Sequence, residues 1–128
     1  LGDGEIQEGQ VWEASMFAGH RKLDNLVVIV DNNGLQIDGK IEDVCSPYPI
    51  DKKFEAFNFH VINVEDGNDF DQLAAAFKEA KETKGMPTAI IMKTVKEKAF
   101  PIWKTMQDGM EKLQTMKNMQ SQWQTWKR

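Results

Sequence analysis

The sequence predicts a single α/β domain, three layers deep, with a short and mainly parallel sheet held between helices. Two observations predict it. Residues 26–30 form an unbroken apolar run, Leu26-Val27-Val28-Ile29-Val30, which marks a strand covered on both faces, as in parallel sheets, and not the alternation of a half-exposed strand. Strand-like runs then alternate with segments whose apolar residues recur every three or four positions, the order of β-α-β units joined by right-handed crossovers.

Taken in order, residues 5–22 read as the first helix, with Val11, Trp12, Ser15, Met16 and Gly19 on one face. Residues 26–30 follow as the first strand and are expected at the centre of the sheet. Asp31-Asn32-Asn33-Gly34 ends that strand in turn chemistry, and a polar loop runs on through Gly39. A short helix is expected over 50–57, where Ile50, Phe54 and Phe57 share a side, and residues 61–64 read as the second strand. Asp69 is placed as an N-cap with Gln72 three residues on, the pattern of a capping box. The helix behind it carries Phe70, Leu73, Ala74, Phe77 and Ala80 as a stripe, and Gly85 with Pro87 stops it. Residues 88–94 supply the third strand.

The character of the chain changes at Lys96. Ile102, Trp103, Met106, Met110, Leu113, Met116, Met119, Trp123 and Trp126 recur at helical spacing, so one or two amphipathic helices are expected. The division is therefore a domain over 1–95 and a helical tail over 96–128, packed on the same domain or on a dimer partner. Methionine-rich faces adapt to irregular partners, but a buried amphipathic stripe is more often core.

Composition narrows the function classes. With 128 residues, 41% of them hydrophobic, the chain has enough apolar side chains for one core. The net charge is −4 and basic residues are scattered among acidic ones, which argues against a nucleic-acid partner. The lone Cys45 cannot form an internal disulfide, as suits a reducing compartment, and no neighbouring basic residue marks it as a nucleophile. No apolar run approaches ~18 residues and no signal-like segment opens the chain. A cytoplasmic protein without a membrane partner is the expectation. His20 lies at the end of the first helix, where a cation complements the dipole, and His60 precedes a strand; both read as structural.

The most informative feature is Gly2-Asp3-Gly4 followed by Asn32-Asn33, with one helix and one strand between them. Mg²⁺ takes hard oxygen donors in octahedral geometry and usually only one or two protein carboxylates, leaving positions for water and phosphate. Asp3 offers the carboxylate and Asn33 a neutral amide oxygen. The glycines beside Asp3 let backbone N–H groups approach a phosphate closely, and a helix N-terminus nearby adds partial positive charge. Either tripeptide alone is an ordinary turn. Together they stand where ligands sit in open parallel sheets, outside the C-terminal ends of the strands.

The run Gly2-Asp3-Gly4-Glu5-Ile6-Gln7-Glu8-Gly9, with Gly19-His20-Arg21-Lys22-Leu23-Asp24-Asn25-Leu26-Val27-Val28-Ile29-Val30-Asp31-Asn32-Asn33-Gly34-Leu35-Gln36-Ile37-Asp38-Gly39, resembles transketolase, in its amino-terminal half or amino-terminal subunit where the enzyme is split. The likeness is near continuous from Leu1 to about Thr94. It implies a thiamine diphosphate site with Mg²⁺ held by Asp3, the side-chain oxygen of Asn33 and the backbone oxygen of Leu35. Gly2 and Gly4 would lie along the diphosphate and Ile37 near the thiazolium ring. Glu8 matches a family carboxylate at the dimer interface and is the one catalytic candidate. The family enters Gly-Asp-Gly from a buried strand, and after the third strand continues into a glycine-rich loop with a histidine, where this sequence has Lys96-Glu97-Lys98-Ala99-Phe100. The implied fold is thus a thiamine-diphosphate-binding fold shortened at its front and divergent after about residue 95.

In the family, a glutamate on a separate pyrimidine-binding domain activates the cofactor. The resemblance therefore implies two-carbon ketol transfer between sugar phosphates, carried out as a homodimer or with a complementary carboxy-terminal transketolase subunit. The two alternatives are a minimal, promiscuous homodimeric enzyme of related carbonyl chemistry and a non-enzymatic assembly module acting through the tail.

Overall fold

In the computed structural model, residues 1–37 and 39–95 are described; the helices expected beyond Lys96 lie outside them. A 3₁₀ turn at Glu5–Gln7 precedes α1 (Gly9–Arg21), β1 (Val27–Asn32), β2 (Leu35–Gln36), β3 (Gly39–Lys40), α2 (Ile41–Cys45), α3 (Ile50–Ala56), β4 (His60–Val64), α4 (Phe70–Glu82) and β5 (Thr88–Lys93). The main sheet has the order β1-β5-β4, all parallel, with Val27 opposite Thr88 and His60 opposite the same residue on the other side. β2 and β3 form a separate antiparallel hairpin inside what the sequence shows as a polar loop. Residues 1–3 run along the free edge of β1: the Asp31 N–H donates to the Leu1 carbonyl at 2.8 Å and the Asp3 N–H to the Asp31 carbonyl at 3.0 Å.

The expected centre of the sheet is corrected by this order. The central strand is β5, whose Thr88, Ala89, Ile90 and Ile91 are all buried, whereas Val27 at the start of β1 is exposed. An unbroken apolar run reports cover above and below a strand. It carries no information about which strands lie beside it.

Period-two alternation assigns the layers. Val30, Ala89 and Ile91 pack with Ile6, Ala18, Ile50, Phe54 and Phe59 on the α1 and α3 side, while Ile90, Ile62 and Val64 pack with Ala76 and Ala80 of α4 on the other. The three-layer arrangement read from the sequence is therefore present. Trp12 of α1 meets Phe54 and Phe57 at ring-centroid distances of 5.4 and 5.9 Å, which locks α1 to α3.

Several local expectations shift. The first helix is not continuous from residue 5, because Glu8 takes an extended backbone (φ −69°, ψ 130°) between the 3₁₀ turn and α1. Ser15 and Gly19 face the core as expected, but Met16 is 61% exposed and Ala18 takes the inward place. Asp69 caps α4, accepting from the N–H groups of Asp71 and Gln72. The Gln72 side chain, however, accepts from the Asp66 N–H at 3.1 Å and does not close a capping box on the Asp69 N–H. The α4 stripe is also rotated: Ala76 and Ala80 are buried and Leu73 packs against them, whereas Phe70 is 87% and Phe77 47% exposed. Two alanines allow the helix to approach the sheet closely, and the large aromatics are turned outward. His60, which has no partner in sequence, pairs with Glu79 at 2.7 Å.

Gly19 is required by space. A Cβ there would sit 1.8 Å from the Phe57 carbonyl oxygen and 3.0 Å from its carbon, both backbone atoms that cannot swing aside. Gly19→Ala should lower stability by about 2 kcal/mol, the usual cost of forcing extra volume into a packed contact. Urea unfolding would show this as a lower midpoint, and an unchanged midpoint would contradict the α1–α3 contact.

Candidate functional site

The site assembles where residues 1–3, running alongside β1, end level with the turn that closes β1. Asp3 is only 1% exposed. Its Oδ2 accepts a hydrogen bond from the Gly34 N–H at 2.6 Å, so the first turn and the Asn33-Gly34 turn meet at one carboxylate. Gly34 adopts a left-handed conformation (φ +74°), and the position of its missing Cβ is open space with nothing within 4 Å. Asn33 Oδ1 accepts from the Leu35 N–H at 3.0 Å, a side-chain-closed turn that sends the chain into the β2–β3 hairpin.

A ring of further contacts fixes this junction. The Asn32 Oδ1 accepts from the Tyr48 hydroxyl at 2.7 Å, and the Thr94 hydroxyl donates to Asp31 Oδ1. Gln7 Nε2 donates to Gln36 Oε1 at 2.9 Å and to the Cys45 carbonyl at 2.6 Å, tying the 3₁₀ turn to β2 and to the end of α2. The Gly2 N–H donates to Glu5 Oε2 at 2.6 Å. Gly4 packs so closely that a Cβ would stand 3.3 Å from Gln36 Cβ.

Burial pushes the Asp3 carboxyl above its ordinary value, the Gly34 and Gly4 N–H groups oppose that rise, and the nearby Asp31 charge adds to it. Burial likewise raises the Tyr48 phenol, helped by the charges of Asp3 and Glu42, so Tyr48 is a neutral donor at pH 7. Among the described residues Lys52 pairs with Glu55 and His60 hydrogen-bonds Glu79, and neither contact involves Asp3. A desolvated carboxylate thus feels the charge of a second one, Asp31, with no basic side chain paired to it.

Of the residues expected in the site, Gly2, Asp3, Gly4, Asn33 and Leu35 come together. Gly2 bridges to Asp31 in parallel register, and Leu35 begins β2. Ile37 stands apart on the hairpin turn, 74% exposed. Glu8 is exposed at the N-cap of α1, and its side chain makes no hydrogen bond or ion pair among the described residues. Sequence reasoning missed Asp31, Gly34, Gln36 and Tyr48 as parts of the junction. Gly34 had a signal, since Asn-Asn-Gly calls for a positive φ; Tyr48 lies 16 residues from its partner and had none.

The donor set suits a small hard cation. Among the described residues no group of three or more His, Cys, Asp or Glu side chains could hold a metal by itself. A cation at Asp3 would draw on one carboxylate, the Asn33 amide, backbone carbonyls and the oxygens of a phosphate ligand, the mixture Mg²⁺ favours. It would also relieve the uncompensated charge on Asp3.

Comparison with known proteins gives a consistent result. Residues 1–123 match the family model described as transketolase, thiamine diphosphate binding domain. The chain is 43% identical over 98 residues to the 6-deoxy-6-sulfo-D-fructose transketolase subunit SqwG of Clostridium sp. (strain MSTE9), covering 77% of this chain and 35% of that protein. It is 48% identical over 99 residues to transketolase of Mus musculus, covering 75% of this chain and 15% of that one. Among solved structures, transketolase from Leishmania mexicana superposes with a TM-score of 0.69 at 40% identity, over 73% of this chain and 14% of that one. The chain therefore spans about a third or less of the length of these relatives.

The electrostatics of Asp3 generate a prediction about the ligand-free protein. Because its pKa is raised in the folded state, the folded protein binds that proton more tightly than the unfolded chain. The associated stability is fully present below the unfolded pKa and is lost as pH rises through the folded value. Asp3→Asn keeps an oxygen acceptor for Gly34 and removes the charge. Without added cofactor it should raise Tm at pH 7, with the gain shrinking towards pH 4; a lower Tm at pH 7 would contradict the account.

Proposed function

The chain belongs to the transketolase family through its thiamine-diphosphate-binding domain, and from that premise we propose that it binds thiamine diphosphate with Mg²⁺ as one portion of a two-carbon ketol transferase. Asp3, the Asn33 side-chain oxygen and the Leu35 carbonyl hold the cation. Gly2 and Gly4 bring backbone close to the diphosphate, whose own oxygens complete the coordination. The observation that carries this reading is the Asp3 Oδ2 to Gly34 N–H hydrogen bond of 2.6 Å, which joins the two motif-bearing turns at a buried carboxylate.

When bound, thiamine diphosphate supplies the electron sink for cleaving and forming carbon–carbon bonds. This chain's residues bind and orient it. Ile37, exposed on the hairpin turn, is free to pack against the thiazolium ring, and Glu8, exposed at the start of α1, is free to meet a partner subunit and act there as the catalytic carboxylate. The substrates are sugar phosphates. Activation of the cofactor's pyrimidine requires a second domain, supplied by a homodimer mate or by a complementary carboxy-terminal subunit in the cytoplasm. That SqwG is itself named a transketolase subunit supports the split arrangement.

A ligand that binds only the native state raises its stability, by about 2.7 kcal/mol at roughly 100 times Kd. Thiamine diphosphate and Mg²⁺ together should therefore raise Tm, chelation should reverse the rise, and Asp3→Ala should abolish it. No rise at millimolar cofactor, with the chain alone or mixed with a complementary subunit, would remove the proposal.

A further inference from the structure

We propose that Tyr48 is a positioning residue for the diphosphate-binding turn, acting through Asn32. The proposal rests on the cofactor reading above and extends it to a side chain that no motif marks. Tyr48 lies between the buried Pro47 and Pro49, the N-cap of α3. That helix is anchored in the core by Ile50 and Phe54, and Lys53 Nζ donates to the Pro47 carbonyl, closing the segment onto α3. From this platform the phenol hydroxyl reaches Asn32 Oδ1 at 2.7 Å.

Asn32 ends β1 immediately before Asn33. Its carbonyl accepts from the Thr94 N–H at 3.2 Å, so its backbone is tied towards the β5 side and its side chain towards α3. Alternation along β1 puts Asn32 on the same face as Val28 and Val30, the face that carries α1 and α3. Asn33 makes no such link: its Oδ1 accepts from the Leu35 N–H within its own turn, with a second lone pair left for the cation. Among the described residues no other hydrogen bond joins residues 31–35 to the segment that leads into α3.

A metal-diphosphate site needs its donors held to within a fraction of an ångström, and a supporting hydrogen bond from a rigid element supplies that. Losing one neutral, part-exposed hydrogen bond should weaken binding about fivefold. The test is calorimetric titration of the full chain with thiamine diphosphate at saturating Mg²⁺, for the parent, Tyr48→Phe, Asn32→Ala and the double variant, alongside ligand-free Tm. Tyr48→Phe should bind about fivefold more weakly at a temperature where it remains fully folded, with its ligand-free Tm lower by no more than about 5 °C, and should cost nothing further in the Asn32→Ala background. Parent-like affinity in Tyr48→Phe, additive losses in the double variant, or a variant already partly unfolded at the titration temperature would each overturn the positioning role. If the parent itself does not bind, the cofactor reading fails and takes this proposal with it; if the parent binds and Tyr48→Phe binds equally, the positioning role alone falls.

Discussion

The hydrogen bond from the Gly34 N–H to Asp3 Oδ2, 2.6 Å long, is the constraint around which the site is arranged. It joins two turns separated by a helix and a strand, and it does so at a carboxylate almost wholly removed from water. A buried charge without a counter-ion is costly, and here a second carboxylate, Asp31, stands close by. Such an arrangement persists only where the surrounding fold holds it.

The fold supplies that support from three directions. Parallel pairing to β5 and the edge contacts of residues 1–3 set the height at which β1 ends. Gln7 links the 3₁₀ turn to β2 and the end of α2, while the Trp12–Phe54–Phe57 cluster locks α1 onto α3. The break at Glu8 matters here, because an extended residue between the 3₁₀ turn and α1 lets the backbone change direction shortly after Gly2-Asp3-Gly4. α4, on the far face, contributes stability and no group of the site.

The position of the carboxylates also separates two tasks. Asp3 is buried at the junction, while Glu8, five residues on, is exposed at the head of α1. One is placed to hold charge inside the domain and the other to meet something outside it. The chain spans 35% of SqwG and 15% of the mouse transketolase, so in a segment matching only part of those relatives a buried acid and an outward-facing one lie five residues apart.

Elements governed by short-range chemistry could be read from the sequence. The strand at 26–30, the Asp69 cap and the short helix after Pro49 all follow from residue types within a few positions, through hydrogen-bonding habit or periodicity, whereas the link between Asp3 and the Asn33-Gly34 turn crosses 31 residues. What the sequence could not determine depends on lateral and long-range placement. It did not show that β5 is central, that α4 is rotated to put alanines and not phenylalanines inward, that β2 pairs antiparallel with β3, or that Tyr48 reaches Asn32. The physical reason is common to all four. An apolar run or a helical stripe states that a surface is covered but not by what, and a hydrogen bond across 16 residues leaves no local trace in either partner, so only the packed chain decides them.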